Sequence, residues 1–191
     1  MRYPESRKEE TRRHILEQGA YLLKKYGFAA TGVDKLMQAV GLSGAALYAH
    51  FPSKMALLEA VVQAEMERSL KMLTGRPEDA PAEALQRCLD TYLTLEHVRH
   101  PEYGCILPAL AAELGRAGVE VQELIAAAEQ RFVDFWAGKL GSRASALVLL
   151  SQCVGAILMA RMSEDSTQQQ AILAASRSSL LALLPAAPSG L

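Results

Sequence analysis

Apolar residues recur at helical spacing along most of the chain, and they predict one helix after another. The polar breaks between them contain glycine, proline or serine. The apolar residues are mostly Ala and Leu, which favour helix over strand, and no segment alternates convincingly as a strand does. The sequence therefore predicts an all-α protein of about nine helices, over residues 5–26, 33–40, 43–51, 53–73, 82–97, 105–114, 119–140, 144–162 and 168–184.

The segment Val33–Phe51 carries the most specific pattern. Gly41 follows the last periodic residue of one short helix, where glycine can adopt the left-handed conformation that a helix end requires. Ser43 is a suitable N-cap for the next helix, and Leu47 and Phe51 continue the apolar face four residues apart. Two short helices around a glycine-containing turn predict a helix-turn-helix, whose second helix enters the major groove of DNA.

The charge distribution supports a DNA-binding N-terminus. The whole chain of 191 residues has a net charge of −1. Residues 1–60 hold nine Lys or Arg against six Asp or Glu, whereas residues 61–191 hold eleven against fifteen. The excess of +3 therefore lies with the predicted helix-turn-helix, as an electrostatic footprint on phosphates requires.

Composition indicates a folded protein of the cytoplasm. Half of the residues are hydrophobic, which excludes general disorder. The N-terminus has no apolar signal region. The longest apolar run, residues 144–162, is interrupted by serine, glutamine and arginine and is a poor membrane span. Three cysteines at irregular spacing form neither a disulfide framework nor a zinc site, so we expect no metal and no cofactor.

The last two predicted helices suggest a dimer. The helix over 144–162 is apolar nearly all round, so it must be buried. The helix over 168–184 adds several leucines. We expect both helices to pack against their copies in a two-fold homodimer. The alternative is that they form an ordinary core within one chain.

The segment from Gly27 to Leu58 resembles the DNA-binding domain of the TetR/AcrR family of transcriptional regulators. The resemblance rests on the run G-L-S-G-A-A-L-Y-A-H-F-P-S-K and covers about residues 8–60. It implies a helix-turn-helix DNA-binding domain over residues 1–53. A ligand-binding and dimerisation domain over residues 54–191 is implied with it.

The resemblance also implies which residues touch DNA. The family places phosphate contacts at four positions whose side chains can donate hydrogen bonds to phosphate oxygens, and these are Thr31, Tyr48, His50 and Lys54. Base edges face Gly44, Ala45 and Ala46. This chain departs from the family at Gly44, where Lys, Arg or Pro is common, and glycine and alanine cannot make bidentate base contacts. The alternative role of His50 is to cap a helix end. Four cations at the start of the first helix either contribute to DNA binding or form only a solvated helix face; these are Arg7, Lys8, Arg12 and Arg13.

The predicted sensing half holds an aromatic set and one notable cysteine. We interpret the aromatic residues as lining, together with Cys105, for a small-molecule pocket, with an ordinary core as the alternative; the aromatic residues are Tyr92, Tyr103, Phe132, Phe135 and Trp136. Cys105 begins a predicted helix in G-C-I-L-P-A-L, which resembles a G-C-L-L-x-N-L motif of a subgroup that responds to electrophiles or oxidants. Ala109 replaces the asparagine of that motif. Cys105 is thus either a thiol sensor or a small buried apolar residue.

These features predict a homodimeric repressor that a small-molecule inducer releases from its operator. The alternative is a repressor that senses electrophiles through Cys105. An enzyme is not expected, since we find no nucleophile motif, no phosphate-binding glycine loop and no H-E-x-x-H.

Overall fold

A computed structural model describes residues 5–43 and 47–184, and these residues form α-helices with one short 3₁₀ helix and no strand. The predicted all-α class is confirmed. Leu47 and Tyr48 are helical between α2 and α3. The helices are α1 Glu5–Tyr26, α2 Val33–Ala39, α3 Lys54–Thr74, α4 Pro81–Tyr92, α5 Leu95–Arg99, α6 Ile106–Leu114, α7 Val119–Leu140, α8 Arg143–Arg161 and α9 Ser166–Leu181, with the 3₁₀ helix at Pro101–Tyr103.

The chain divides into two compact units. The first unit comprises Met1–Glu67 and Pro101–Ile125, and the second comprises Arg68–His100 and Ala126–Leu191. The first unit therefore contains a segment from the middle of the chain, because α6 and the 3₁₀ helix pack on α1. Packing units do not test where the DNA-binding and ligand-binding domains meet, so the boundary after residue 53 stays a prediction.

The core of the first unit is built from apolar side chains of α1, α2, the segment after the turn, and α3. Gly19 of α1 is also buried there. Tyr26, the last residue of α1, lies largely outside this core, since 46% of it is exposed. Its ring lies 3.6 Å from the Lys35 Nζ, a cation–π contact that does not require burial. The buried side chains are Ile15, Leu22, Leu23, Leu36, Met37, Leu47, Phe51, Leu57, Leu58, Val61 and Val62.

The core of the second unit is built from α4, α7, α8 and α9. Its largest fully buried side chains include Tyr92, Trp136, Leu149 and Leu180. Both terminal helices begin at a side-chain cap: the Ser142 hydroxyl accepts from the Ser145 N–H, and the Asp165 carboxylate accepts from the Thr167 N–H. Each cap satisfies a backbone N–H that has no partner within its helix.

The predicted single helix over 82–97 is wrong, because the chain breaks at Leu93–Thr94. The Thr94 hydroxyl accepts a hydrogen bond from the His97 N–H at 3.1 Å and starts α5. His97 Nδ1 lies 2.8 Å from the Tyr92 carbonyl oxygen at the end of α4. Local side-chain bonds to the backbone thus replace the helical bonds of one continuous helix.

Helix α8 has the length and mean hydropathy of a membrane span. Over its most apolar window the mean hydropathy is 1.6, and 39% of that window is buried. It is packed against α9 and α5 within the second unit. An apolar core helix of a folded protein has the same length and composition.

Candidate nucleic-acid interface

The turn after α2 has the geometry of a helix-turn-helix. Gly41 adopts φ +67°, and the chain leaves α2 there through two hydrogen bonds. The Gly41 N–H donates to the Gln38 carbonyl at 3.2 Å, and the Leu42 N–H donates to the Met37 carbonyl at 2.9 Å. This pair is the Schellman motif that commonly ends a helix at glycine. The helix stop predicted at Gly41 is confirmed.

The helix that follows the turn is anchored by one face and exposes the other. Leu47 is fully buried and Phe51 is 2% exposed, whereas Tyr48 is 57% exposed. The Phe51 N–H donates to the Leu47 carbonyl at 2.8 Å. The predicted base-edge residues Gly44, Ala45 and Ala46 lie outside the described residues. The predicted cap at Ser43 would bond to backbone in that same segment, so it also stays a prediction.

His50 stands in a cationic environment at the end of this helix. Burial lowers the pKa of its imidazole, and the charges of Lys8 and Arg12 lower that pKa further. The Arg12 guanidinium lies 4.9 Å from the centre of the Phe51 ring. The basic start of α1 is therefore close to the end of the predicted recognition helix. Positive charge at this position suits a phosphate partner, and phosphate contacts of these cations stay a prediction.

Lys54 joins the start of α3 to the loop between α1 and α2. Its Nζ donates to the Phe28 carbonyl at 3.0 Å and lies 4.3 Å from the centre of the Phe28 ring. Ser53 caps the same helix end by accepting from the Ala56 N–H at 3.0 Å. A lysine beside a helix N-terminus is a suitable phosphate ligand, but here the ammonium also has a bond within the chain.

Thr31, one of the predicted phosphate ligands, is buried in the loop before α2. Its side chain is 1% exposed. The hydroxyl donates to the Gly27 carbonyl at 2.7 Å. The hydroxyl proton is thus used inside the chain, and a phosphate contact of Thr31 stays a prediction. The bond closes the loop that precedes α2, where Gly32 acts as an N-cap without a side-chain bond.

The predicted pocket residues are distributed over both units. Tyr92, Phe132, Phe135 and Trp136 belong to the second unit, where Trp136 contacts Phe132 and Phe135 at centroid distances of 6.3 and 5.4 Å. Tyr103 and Cys105 belong to the first unit.

Exposure separates these residues further. Tyr103 is 64% exposed and meets Tyr21 edge-on at 5.8 Å. Cys105 is fully buried at the N-cap position of α6. The predicted pocket as a whole stays a prediction.

Two polar connections of the first unit, a buried one at Lys24 and a partly exposed one at Glu113, were not anticipated from the sequence. The Lys24 ammonium binds the Glu65 carboxylate at 2.6 Å and the Gly104 carbonyl at 3.0 Å. The Glu113 carboxylate accepts from the Phe28 and Ala29 N–H groups at 2.9 and 2.8 Å. Their partners are 41 to 85 residues apart in the chain, and no local pattern reports contacts at that separation.

One face of α8 is exposed and apolar, which makes it a second candidate interface. Its large side chains are 37–72% exposed. At helical spacing they lie on one side, opposite the buried positions that include Leu149, Cys153 and Ala160. The exposed apolar side chains on this helix and its C-cap are Leu147, Val148, Leu158, Met159 and Met162; we call this set the α8 apolar face.

Comparison with known proteins agrees with the helix-turn-helix geometry. Residues 15–61, which include the second half of α1, all of α2 and the start of α3, match the family described as bacterial regulatory proteins, tetR family. This N-terminal region belongs to the TetR family. It is the DNA-binding helix-turn-helix region of a TetR-type transcriptional regulator.

Solved structures share the whole fold at low sequence identity. A TetR-family transcriptional regulator from Agrobacterium tumefaciens superposes with a TM-score of 0.77 at 20% identity, over 90% of this chain and 98% of that one. The reduced form of NemR from E. coli superposes with a TM-score of 0.76 at 19% identity, over 94% and 100% of the two chains. These similarities concern the fold.

A curated relative matches over a shorter range. The nucleoid occlusion factor SlmA of Vibrio vulnificus is 36% identical over 83 residues, which are 43% of this chain. The match spans 42% of the length of SlmA. The two proteins are therefore similar over less than half of each.

Proposed function

We propose that this regulator is a homodimeric repressor that a small-molecule inducer releases from its operator. The observation that carries the proposal is the anchored recognition helix, which buries Leu47 and Phe51 and exposes Tyr48. The cations Lys8 and Arg12 near His50 supply positive charge at the same helix. This combination of an exposed helix and nearby cations suits a duplex groove flanked by phosphates.

The proposed dimer uses the α8 apolar face. Met159 and Met162 are 54% and 72% exposed, and exposed apolar patches of this kind mark interaction sites in soluble proteins. A two-fold pairing buries the same patch on both copies. It also presents two recognition helices to half-sites about 34–36 Å apart.

The proposed inducer site lies around the aromatic residues of the second unit. Trp136 is fully buried, and its indole N–H has no hydrogen-bond acceptor in the described part of the chain. A buried donor of this kind needs a partner, such as a water or a polar atom of a ligand. An apolar cavity with few polar groups is the usual setting for small-molecule binding. The inducer favours a conformer with lower DNA affinity and shifts the population towards it.

The test measures whether the protein retards, in a gel, the DNA that lies upstream of its own gene. We expect a labelled upstream fragment to be retarded in a gel, and we expect a shuffled fragment of equal length to be retarded less. Retardation weakens with added salt because phosphate contacts release counterions. Equal retardation of both fragments would remove sequence-specific regulation from the proposal. Reversal of the retardation by small-molecule pools then tests the inducer.

A second candidate, release through Cys105, is favoured by the position of that thiol. Cys105 directly precedes α6 and follows Gly104, whose carbonyl is held by Lys24. The sulfur is fully buried, so a reagent reaches it only after local opening. N-ethylmaleimide treatment should lower DNA retardation in the wild type and not in Cys105→Ser. Cys88→Ser is the matched control, because burial raises the pKa of the Cys88 thiol to about 12, and this variant should respond to the reagent like the wild type. Equal responses in wild type and Cys105→Ser would end this candidate.

A further inference from the structure

The loop between α1 and α2 presents two backbone N–H groups to a single carboxylate. The chain turns at Gly27, which has φ +87°, so the N–H groups of Phe28 and Ala29 leave the helical ladder. Glu113 Oε2 accepts from Phe28 at 2.9 Å, and Glu113 Oε1 accepts from Ala29 at 2.8 Å. Each carboxylate oxygen thus accepts one hydrogen bond, from two consecutive residues that lie 84 and 85 positions away in the sequence.

This contact has the character of an anion site. Consecutive N–H groups around a left-handed residue form a concavity that binds anions. Within the described residues no Lys or Arg pairs with Glu113, and the carboxylate is bound by the two backbone N–H groups. Hydrogen bonds to a charged acceptor are stronger than neutral ones. A Cβ added at Gly27 would lie 3.1 Å from Glu113 Oε2, so the carboxylate closes directly on the turn.

The same loop is bound from its other side by the predicted DNA-binding elements. The Phe28 carbonyl accepts from the Lys54 ammonium at 3.0 Å and from the Thr31 N–H at 3.3 Å. The Thr31 hydroxyl returns to the Gly27 carbonyl at 2.7 Å. One peptide segment therefore links Glu113 to Lys54 and to the start of α2.

Helix α6 is tied to the helix-turn-helix elements at both ends. Glu113 lies in its last turn and holds the α1–α2 loop. The residue preceding its N-cap, Gly104, accepts from the Lys24 ammonium of α1, which also binds Glu65 of α3. Because both ends of α6 are held by these hydrogen bonds, a movement of α6 must either carry α1 and the α1–α2 loop with it or break the bonds.

We propose that Glu113 is a positioning residue that couples α6 to the DNA-binding helices through the Phe28 and Ala29 amides. With the carboxylate in place, the loop holds α2 and Lys54 in the DNA-binding arrangement. Displacement of α6 withdraws the carboxylate and releases the loop. This inference rests on the proposed function, since it names the contact through which control of DNA binding acts.

The test compares Glu113→Gln with Glu123→Gln in the full-length protein. Glu123 is an exposed carboxylate of the same unit, so its variant is the matched change of charge. Amide hydrogen exchange is followed at Phe28 and Ala29, which touch Glu113, and at Leu42 and Phe51, which do not. Affinity is measured by fluorescence anisotropy on the upstream duplex.

Glu113→Gln should accelerate exchange at Phe28 and Ala29 by about tenfold, the loss expected for one charge-assisted bond. A positioning role requires that exchange at Leu42 and Phe51 also rises. DNA affinity should fall by at least about fivefold, the lower end of typical coupling between sites. Glu123→Gln should leave all of these unchanged.

Two further variants keep the test decisive if Glu113→Gln unfolds. Glu113→Asp retains the charge on a shorter side chain and should give an intermediate effect. Gly27→Ala disturbs the same contact from the loop side while Glu113 is intact, and it should reproduce the Gln phenotype.

Faster exchange confined to Phe28 and Ala29, with Leu42, Phe51 and DNA affinity unchanged, would reduce Glu113 to a local loop contact and overturn the proposal. Unchanged exchange at Phe28 and Ala29 would also overturn it. If the wild-type protein does not bind the duplex, the proposed function fails. The comparison of amide hydrogen exchange between the variants still decides whether Glu113 has a positioning role.

Discussion

Helices α1 and α8 are both long, and both bury an apolar face, yet they expose opposite kinds of surface. α1 buries Ile15 and Leu23 and exposes a side that includes Lys8 and Arg12. α8 buries Leu149 and exposes large apolar side chains instead. The buried faces show only that each helix belongs to a core. The exposed faces differ because each suits a different partner.

A cationic exposed face suits a polyanion, and an apolar exposed face suits another apolar surface. The first attraction is electrostatic and depends on salt. The second is driven by removal of apolar surface from water, which makes it less sensitive to salt. The two helices therefore predict two binding events that respond differently to the same changes. The predictions below test that difference.

The largest expected effect follows from placing a charge on the α8 apolar face. Met159→Asp should weaken the dimer by at least about 100-fold, because a buried unpaired carboxylate costs several kcal/mol. Sedimentation velocity should show a monomer at concentrations where the wild type is dimeric. Val119→Asp is the control, since Val119 is 58% exposed but lies at the start of α7. If both variants dimerise like the wild type, the α8 apolar face is not the interface.

An intermediate effect is expected at Lys54, where a phosphate role and a structural role make different predictions. Lys54→Ala should lower affinity for all duplexes by about tenfold and reduce the salt slope by about one. Loss of the Phe28 carbonyl bond alone would lower affinity with the slope unchanged. Lys71→Ala, at an exposed position near the other end of α3, should leave both quantities unchanged. Fluorescence anisotropy over a salt series measures them.

The smallest expected effect is a pH dependence from His50. In the protein without DNA, burial lowers the pKa of the His50 imidazole, and the charges of Lys8 and Arg12 lower it further. Protonation of His50 therefore opposes folding. Its contribution to the free energy of unfolding is lost as the pH falls through the pKa of the unfolded state towards the lower pKa of the folded state. A nearby phosphate instead favours the imidazolium, so DNA binding takes up a proton.

Affinity should accordingly rise by about two- to threefold between about pH 7.5 and about pH 6, once corrected for global unfolding. His50→Gln should flatten this rise, and His100→Gln of the second unit should keep it. The same slope in wild type and His50→Gln would exclude His50 from the phosphate contacts.

The sequence predicted well what depends on local spacing. The bounds of α1 and α7 agree with the predicted 5–26 and 119–140, because long periodic stretches between glycine stops leave little freedom. The helix stop at Gly41 was equally local. The break at Thr94 was missed because its cause is a side-chain bond rather than a loss of apolar periodicity.

The candidate site was less predictable where it depends on contacts across the chain. Thr31 has a hydroxyl suited to phosphate, but packing directs it to the Gly27 carbonyl. Glu113 looked like one acidic residue among many until α6 was placed against α1. Residue type indicates what a side chain can bind. Its actual partner is set by tertiary packing, which the sequence pattern does not report.

Dimeric DNA binding is tested most directly by the stoichiometry of the protein–DNA complex in analytical ultracentrifugation, with a labelled duplex from the upstream region. A dimer that pairs through α8 should place two wild-type chains on each duplex, with assembly lost in Met159→Asp and weakened by salt. A single chain per duplex, or binding by Met159→Asp equal to that of the wild type, would show that the protein does not bind DNA as this dimer.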